Sequence, residues 1–429
     1  MSKKKESNTF DNVIKRQLHR TLPPLDVFMN QFLDYSDESF LPVKETIFAH
    51  LKEWLDMDDI SQISMQITSH HLRENGAQIS SGTVSEYLTE AQLAACIDEI
   101  VAVFNSIPLT YEILFPLPNI RIPEDIRLSE NISLVRRTSP SRLKGGALTV
   151  LDDSNVQAYF KTTARGYSSL TRGKSAMREA LSKLKWIVQA GAVRGVFCHR
   201  VHGARGISLP NDNQNKLCAL VNRLGADTIE TSLVELGLGM SRYLEQLEIF
   251  TDEVPFWDRK LSSISVQVPI KPEALAVEVP RTLAPLVHLL TQDAFAENTQ
   301  SLRSALEWAF DAEADDEIVP SLIKKCIALE AILGEHSEDP DARGRITDRF
   351  ADRCAYLLGS TPSERAAIRR DMKEVYTLRS ELVHGAKIHL THKDHRIKES
   401  GDRYLSRVLS TEISMLEKWL ASREASSKH

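Results

Sequence analysis

The stretch T-P-S-E at residues 361–364 constrains the chain more than any other. A threonine, then a proline, then a glutamate three places after the threonine supply an N-cap, a first helical residue that needs no N–H, and a side chain that closes a capping box. Behind them Ile368, Met372, Val375 and Tyr376 recur at helical spacing, and Gly385 stands where a left-handed residue would stop the helix. The pattern predicts one long amphipathic helix ending at Gly385.

Helical periodicity surrounds this element. Residues 284–310 read as one or two helices, and the acidic run D-A-E-A-D-D-E at 311–317 as a linker. Residues 318–334 read as a helix apolar on most of its circumference (Val319, Leu322, Ile323, Cys326, Ile327, Leu329, Ile332, Leu333), hence a buried one. An Asp-Pro-Asp turn follows, then a helix marked by Ile346, Phe350 and Leu357 and ended by Gly359. A polar loop rich in Lys and His leads to a last helix through Leu405, Leu409, Ile413, Leu416 and Leu420. Residues 286–429 are therefore expected to form an all-α bundle.

The Pro-punctuated residues 271–285 mark the expected boundary, and residues 1–275 read as mixed α and β. Helical patterns fall at 26–33, 43–55, 91–104 and 175–190. Short β-branched or aromatic runs broken by turn residues fill 110–160, including A-L-T-V-L at 147–151. Residues 215–250 read as two helices, and residues 261–270 alternate like a half-buried strand. The expected class is an α+β multidomain protein, with a mixed α/β region preceding the bundle.

A chain of 429 residues, 42% hydrophobic and 26% charged, has the profile of a globular protein with proper cores. It holds no apolar run of membrane-spanning length, and the basic start MSKKKES is followed by no apolar signal region. Five scattered cysteines without a C-x-x-C read as reduced thiols in a cytoplasm. The expectation is a cytoplasmic protein without membrane association.

Two residues near the end of the 361–385 helix carry the functional question. Arg379 lies eleven positions after Ile368, which returns it to within about 20° of the buried stripe. A guanidinium there must be paired or must face an anion, and Glu330 on A-L-E-A-I-L is the evident partner. His384 lies five residues on, about 140° round, near the negative end of the helix dipole. The two cannot share a face of one straight helix. They are either a structural ion pair and a capping histidine, or a pair completed by unwinding at Gly385 or by a second copy of the chain.

Other signals are weaker. T-R-G-K-S at 171–175 lacks the glycine spacing of a phosphate loop. Cys198, His199 and His202 offer three zinc ligands but no second cluster, so no metal is expected. Residues 389–395, H-L-T-H-K-D-H, read as a basic loop. Residues 343–407 hold 15 Lys and Arg against 9 Asp and Glu, with His384, His389, His392 and His395 besides. A basic segment within a chain of net charge -6 is what a phosphate-binding face needs.

R-S-E-L-V-H-G at 379–385, with Tyr376 ahead of it and A-L-E-A-I-L-G-E at 328–335, resembles the R-x4-H signature of HEPN (higher eukaryotes and prokaryotes nucleotide-binding) domains. It is most similar to the ApeA-like branch, whose pattern has an Arg-Ser pair and a His-Gly at the helix end. The resemblance covers roughly residues 290–422. It implies a metal-independent endoribonuclease without cofactor, active as a homodimer through its C-terminal domain, with Arg379 and His384 catalytic. Ser380, Glu330 and Tyr376 would support them, and Lys387, His389, His392 and Lys393 would touch RNA. It also implies a prokaryotic role in anti-phage defence by abortive infection, with transfer RNA or other host RNA as target. The N-terminal region would then sense the trigger, such as a phage component. The alternative is a non-catalytic dimer of the same kind, acting as an RNA-binding or assembly module.

Overall fold

A computed structural model of the protein describes residues 2–28, 32–33, 38–74, 81–137, 156–168, 175–200, 217–225, 231–252, 259–260, 268–334, 346–387 and 389–426. The chain is an α+β protein that divides into two compact units. One comprises residues 1–111, 164–179 and 222–232, the other residues 112–163, 180–221 and 233–429.

In the first unit α1 (Ser2–Thr21), α2 (Leu41–Leu51), α3 (Met57–Glu74), α4 (Val84–Tyr87) and α5 (Glu90–Ser106) enclose a core that includes Leu18, Phe40, Ile47, Ile100 and Phe104. Residues 26–33, expected to be helical, instead contribute β1 (Asp26–Phe28) and β2 (Phe32–Leu33). With β3 (Gly82–Thr83) they form an antiparallel sheet in which Val27 faces Leu33 and Asp26 faces Thr83. Pairing with a distant strand satisfies the backbone there, and so overrides a short apolar run whose period is ambiguous.

A larger sheet has the order β10-β9-β4-β7-β6-β5. Its strands are β4 (Leu109–Leu117), β5 (Ile126–Arg127), β6 (Ile132–Arg136), β7 (Ala158–Gly166), β9 (Cys218–Arg223) and β10 (Thr231–Glu235). A second sheet pairs β8 (Phe197–Arg200) with β11 (Leu247–Ile249) and β12 (Arg259–Lys260). The two helices expected over 215–250 are a correction. That segment gives β9, β10, the single helix α7 (Leu238–Gln246) and β11. In β9 only Ala219 and Val221 are buried, a period of two that the leucines around them disguise as a helical one. The expected strands at 147–151 and over most of 261–270 lie outside the described residues, as do His202 and most of T-R-G-K-S.

The C-terminal helical region contains α8 (Leu275–Thr291), α9 (Ala296–Glu313), α10 (Ile318–Leu333), α11 (Ile346–Leu358), α12 (Pro362–Val383) and α13 (His392–Ser426). The Pro-rich stretch read as a boundary is largely α8 itself, with Pro280 and Pro285 inside it. Each proline removes a helical hydrogen bond. The buried stripe Leu275, Val279, Leu283, Leu286, Val287 and Leu290 holds the helix regardless. The acidic linker is also shorter than expected, because α9 runs on through Glu313. Asp311 pairs with Lys185 at 2.7 Å and Glu307 accepts from the Trp186 indole at 2.7 Å, which ties α9 to α6 (Ser175–Val193). Among the described residues no helix is long and apolar enough to cross a membrane.

α10 is not as uniformly apolar inside as its sequence suggested, because Lys325 is only 3% exposed. Its ammonium lies 2.8 Å from Glu313 on α9 and 2.9 Å from Asp402 on α13. Burial alone would lower the lysine's pKa, but the two carboxylates outweigh it and the net shift is upward. The stabilisation is therefore complete below the ordinary lysine range and is lost as pH rises through the higher folded value. Lys325→Met removes the buried cation that Glu313 and Asp402 share, leaving Lys398 as the cation at Asp402. It is expected to cost about 3–5 kcal/mol at neutral pH, read as a fall in the urea midpoint. A change of under about 1 kcal/mol would mean that the carboxylates find other partners.

Candidate functional site

α12 starts as T-P-S-E demands. The Glu364 N–H donates to Thr361 Oγ1 at 3.2 Å, and the Glu364 carboxylate accepts from the Thr361 and Ser360 N–H groups. At the other end Gly385 adopts φ +70°, where a side chain would be strained. Its N–H returns to the Leu382 carbonyl, and the Lys387 N–H to that of Glu381. Ile368, Met372, Val375, Tyr376, Leu378 and Leu382 are buried, as the periodicity predicts for the first four.

Tyr376, Glu330 and Arg379 meet between α12 and α10. The Tyr376 hydroxyl donates to Glu330 Oε1 at 2.7 Å, whereas Arg379 Nη2 stands 3.8 Å from the same oxygen. The carboxylate is thus held chiefly by the tyrosine, and the arginine contact is ionic rather than a hydrogen bond. Arg379 Nε is buried with no hydrogen-bond partner, while the side chain as a whole is 29% exposed. Burial, then the Glu330 charge, push the Tyr376 hydroxyl far above its usual range. The same two causes raise the neighbouring Cys326 thiol to about 12, so it is inert at neutral pH.

His384 and Ser380 belong to another side of the helix. Both are exposed, and His384 is the C-cap residue, its N–H bonded to the Ser380 carbonyl at 3.0 Å. The helix therefore keeps its register up to His384, without unwinding toward Arg379. Within one chain the two residues stay about 140° apart.

Of the residues expected to touch RNA, Lys387 and Lys393 line a groove of about 550 Å³ between α12 and the start of α13. His389 and His392 are exposed and do not line it. The basic segment 389–395 is a loop only in its first residues, because α13 begins at His392. The signal for that start was present in T-H-K-D at 391–394. Asp394 accepts from the Thr391 N–H and hydroxyl, each at 2.7 Å, a capping arrangement that sequence reading passed over. Lys387 is held by Asp394 at 2.8 Å and Glu381 at 3.1 Å, so it clamps the end of α12 to the start of α13. Arg369, Arg370 and Lys373, also missed, line the groove from α12.

No family model, curated protein or solved structure matches the chain. No grouping of three or more metal-ligating side chains occurs among the described residues.

Hydrogen bonds from Lys387 first, then from Thr391, hold the Asp394 carboxyl well below its usual range. The clamp's stabilisation is therefore complete above the unfolded value near pH 4, and it is lost as pH falls through the lower folded value. Asp394→Asn is expected to lower the urea midpoint at pH 7, with the gap to wild type closing below about pH 4. A gap that is constant with pH would mean that the charge of Asp394 is not what stabilises.

Proposed function

We propose that the protein is a metal-independent endoribonuclease whose Arg379 and His384 work together across an interface between two copies. The observation that carries the reading is the combination of an exposed His384 with an Arg379 whose Nε is buried and unpaired, five residues apart on one α12. Facing opposite ways in one chain, they can combine only when a second copy presents its own.

The chemistry needs only a mobile proton and a fixed cation. The 2′-hydroxyl of one nucleotide attacks the adjacent phosphorus and passes its proton to His384. The bond from phosphorus to the 5′-oxygen breaks, and that oxygen takes up a proton from a protonated imidazole. The products are a 2′,3′-cyclic phosphate and a 5′-hydroxyl. The Arg379 guanidinium binds the two non-bridging oxygens as negative charge accumulates on them. Glu330, positioned by Tyr376, offers that guanidinium a counter-charge loose enough to be exchanged for phosphate, and Ser380 is placed to hydrogen-bond the substrate. The N-terminal region serves as the sensor that restrains or releases the nuclease, in a cytoplasmic defence role.

A second reading is favoured by the contact of Arg379 with Glu330 itself. In it the dimer binds RNA or assembles without cutting, and the arginine is structural. Incubating purified wild type and His384→Ala with total and transfer RNA in EDTA separates the two. Wild type is expected to leave 2′,3′-cyclic ends, and the variant to lose activity by about 10²-fold or more. Cleavage unchanged in the variant refutes the assignment. An Arg379→Ala protein that unfolds, beside a wild type that cuts nothing, establishes the structural reading.

A further inference from the structure

We propose that the groove between α12 and the first turns of α13 binds the phosphodiester backbone of single-stranded RNA and leads it to His384. The inference rests on the nuclease reading for its endpoint, but the binding surface stands on its own geometry.

Direction is the first argument. His384 follows Ala366 by eighteen residues, which is five full turns, and lies within about 20° of Lys373 and Thr377 and about 40° of Arg370. All four of those residues line the groove. The histidine therefore sits at the end of the helix face that forms the groove wall. At 1.5 Å per residue it is roughly 16 Å beyond Lys373, a reach of a few nucleotides. Arg379 faces away from this wall, toward Glu330.

Charge is the second. Arg369, Arg370, Lys373, Lys387 and Lys393 line the groove against Glu374, Glu381 and Asp394. Glu381 and Asp394 are both engaged by Lys387, so these three form a clamp that offsets one of its two negative charges, and the five cations still outnumber the three carboxylates of the lining. Lys393 is exposed and has no ion-pair partner among the described residues. Arg370 is 70% exposed beside Asp371, and Lys373 is half-exposed beside Asp348 at 2.5 Å. Exposed pairs of this kind are worth at most about 1 kcal/mol and yield readily to a phosphate.

Shape is the third. Leu378 and Ile397 give the groove an apolar floor, and its volume exceeds what a single ion needs. Cations along the rim with apolar surface beneath suit a backbone whose bases pack inward. The Lys387 clamp fixes one wall against the other before ligand arrives.

The test uses the full chain and a short fluorescein-labelled 2′-O-methyl oligoribonucleotide, which cannot be cut, followed by anisotropy across a salt series. Lys393→Glu and the double variant Arg370→Glu/Lys373→Glu are expected to weaken binding at least tenfold for any sequence. Each lost contact should flatten the plot of log affinity against log salt by about 0.7. Reversed variants that keep wild-type affinity and slope, with wild-type melting curves, overturn the proposal. So does displacement by polyglutamate but not by unlabelled oligonucleotide, which assigns the groove to an acidic protein partner. If the groove variants lose binding while wild-type protein cuts no RNA, the nuclease reading fails and the groove stands. If wild type cuts RNA and the variants bind and cut equally well, the groove alone fails.

Discussion

The ammonium of Lys325, closed off from water between Glu313 and Asp402, is the contact on which the geometry of the C-terminal helices depends. A buried charge tolerates little displacement, because each fraction of an ångström lost to one carboxylate is not recovered from solvent. Three helices, α9, α10 and α13, each contribute one member. Asp402 is drawn further into register by Lys398, one turn earlier on α13, at 2.8 Å. Hydrophobic packing alone would allow α10 to slide or rotate against its neighbours, as apolar contacts are not directional. The triad removes that freedom.

That fixed register sets the position of Glu330. It lies five residues after Lys325, about 140° round α10, so the side of the helix opposed to the triad is the one that meets α12. There Tyr376 takes the nearer bond to the carboxylate and leaves Arg379 at 3.8 Å. A tighter ion pair would have turned the guanidinium into a purely structural group. A looser one would have left the Glu330 carboxylate beside Cys326 with the Tyr376 hydroxyl but no nearby cation. The observed compromise keeps the cation oriented without committing it to a hydrogen-bonded ion pair, as the proposed phosphate contact would require.

Legibility in the sequence followed the physics of each element. α12 could be read almost residue by residue, because its signals are local: a capping box, a 3.6-residue stripe and a glycine at φ +70°. The opposed directions of Arg379 and His384 followed from counting residues along that same helix. The strands at 26–33 and 215–250 were misread because short apolar runs fit either period, and distant pairing decides between them. Pro280 and Pro285 argued against α8 on local grounds, and only its buried stripe outweighs them. Lys325 was invisible for the same reason, since its partners lie 12 residues before it and 77 after it. The groove was half legible. Lys387 and Lys393 were named as expected RNA contacts, whereas Arg370 and Lys373 counted only toward the basic balance of 343–407 until α13 was placed opposite them.

The distribution of charge gives these placements a common sense. A net charge of -6 disfavours a polyanion for the chain taken as a whole, and opposing local charge acts at ranges set by the Debye length of about 8–10 Å. The segment 343–407 reverses the sign, and of the three carboxylates that line the groove, Glu374, Glu381 and Asp394, the last two are bound by Lys387. Lys387 offsets one of those two charges, and five cations against three carboxylates leave the lining net positive. On the proposed reading a polyanion would approach along α12. Arg379, held on the opposite side by Glu330 and Tyr376, adds nothing to that approach. In the proposed nuclease its charge would act on a phosphate at a site that a second copy completes, so that capture and chemistry would be divided between two faces of one helix.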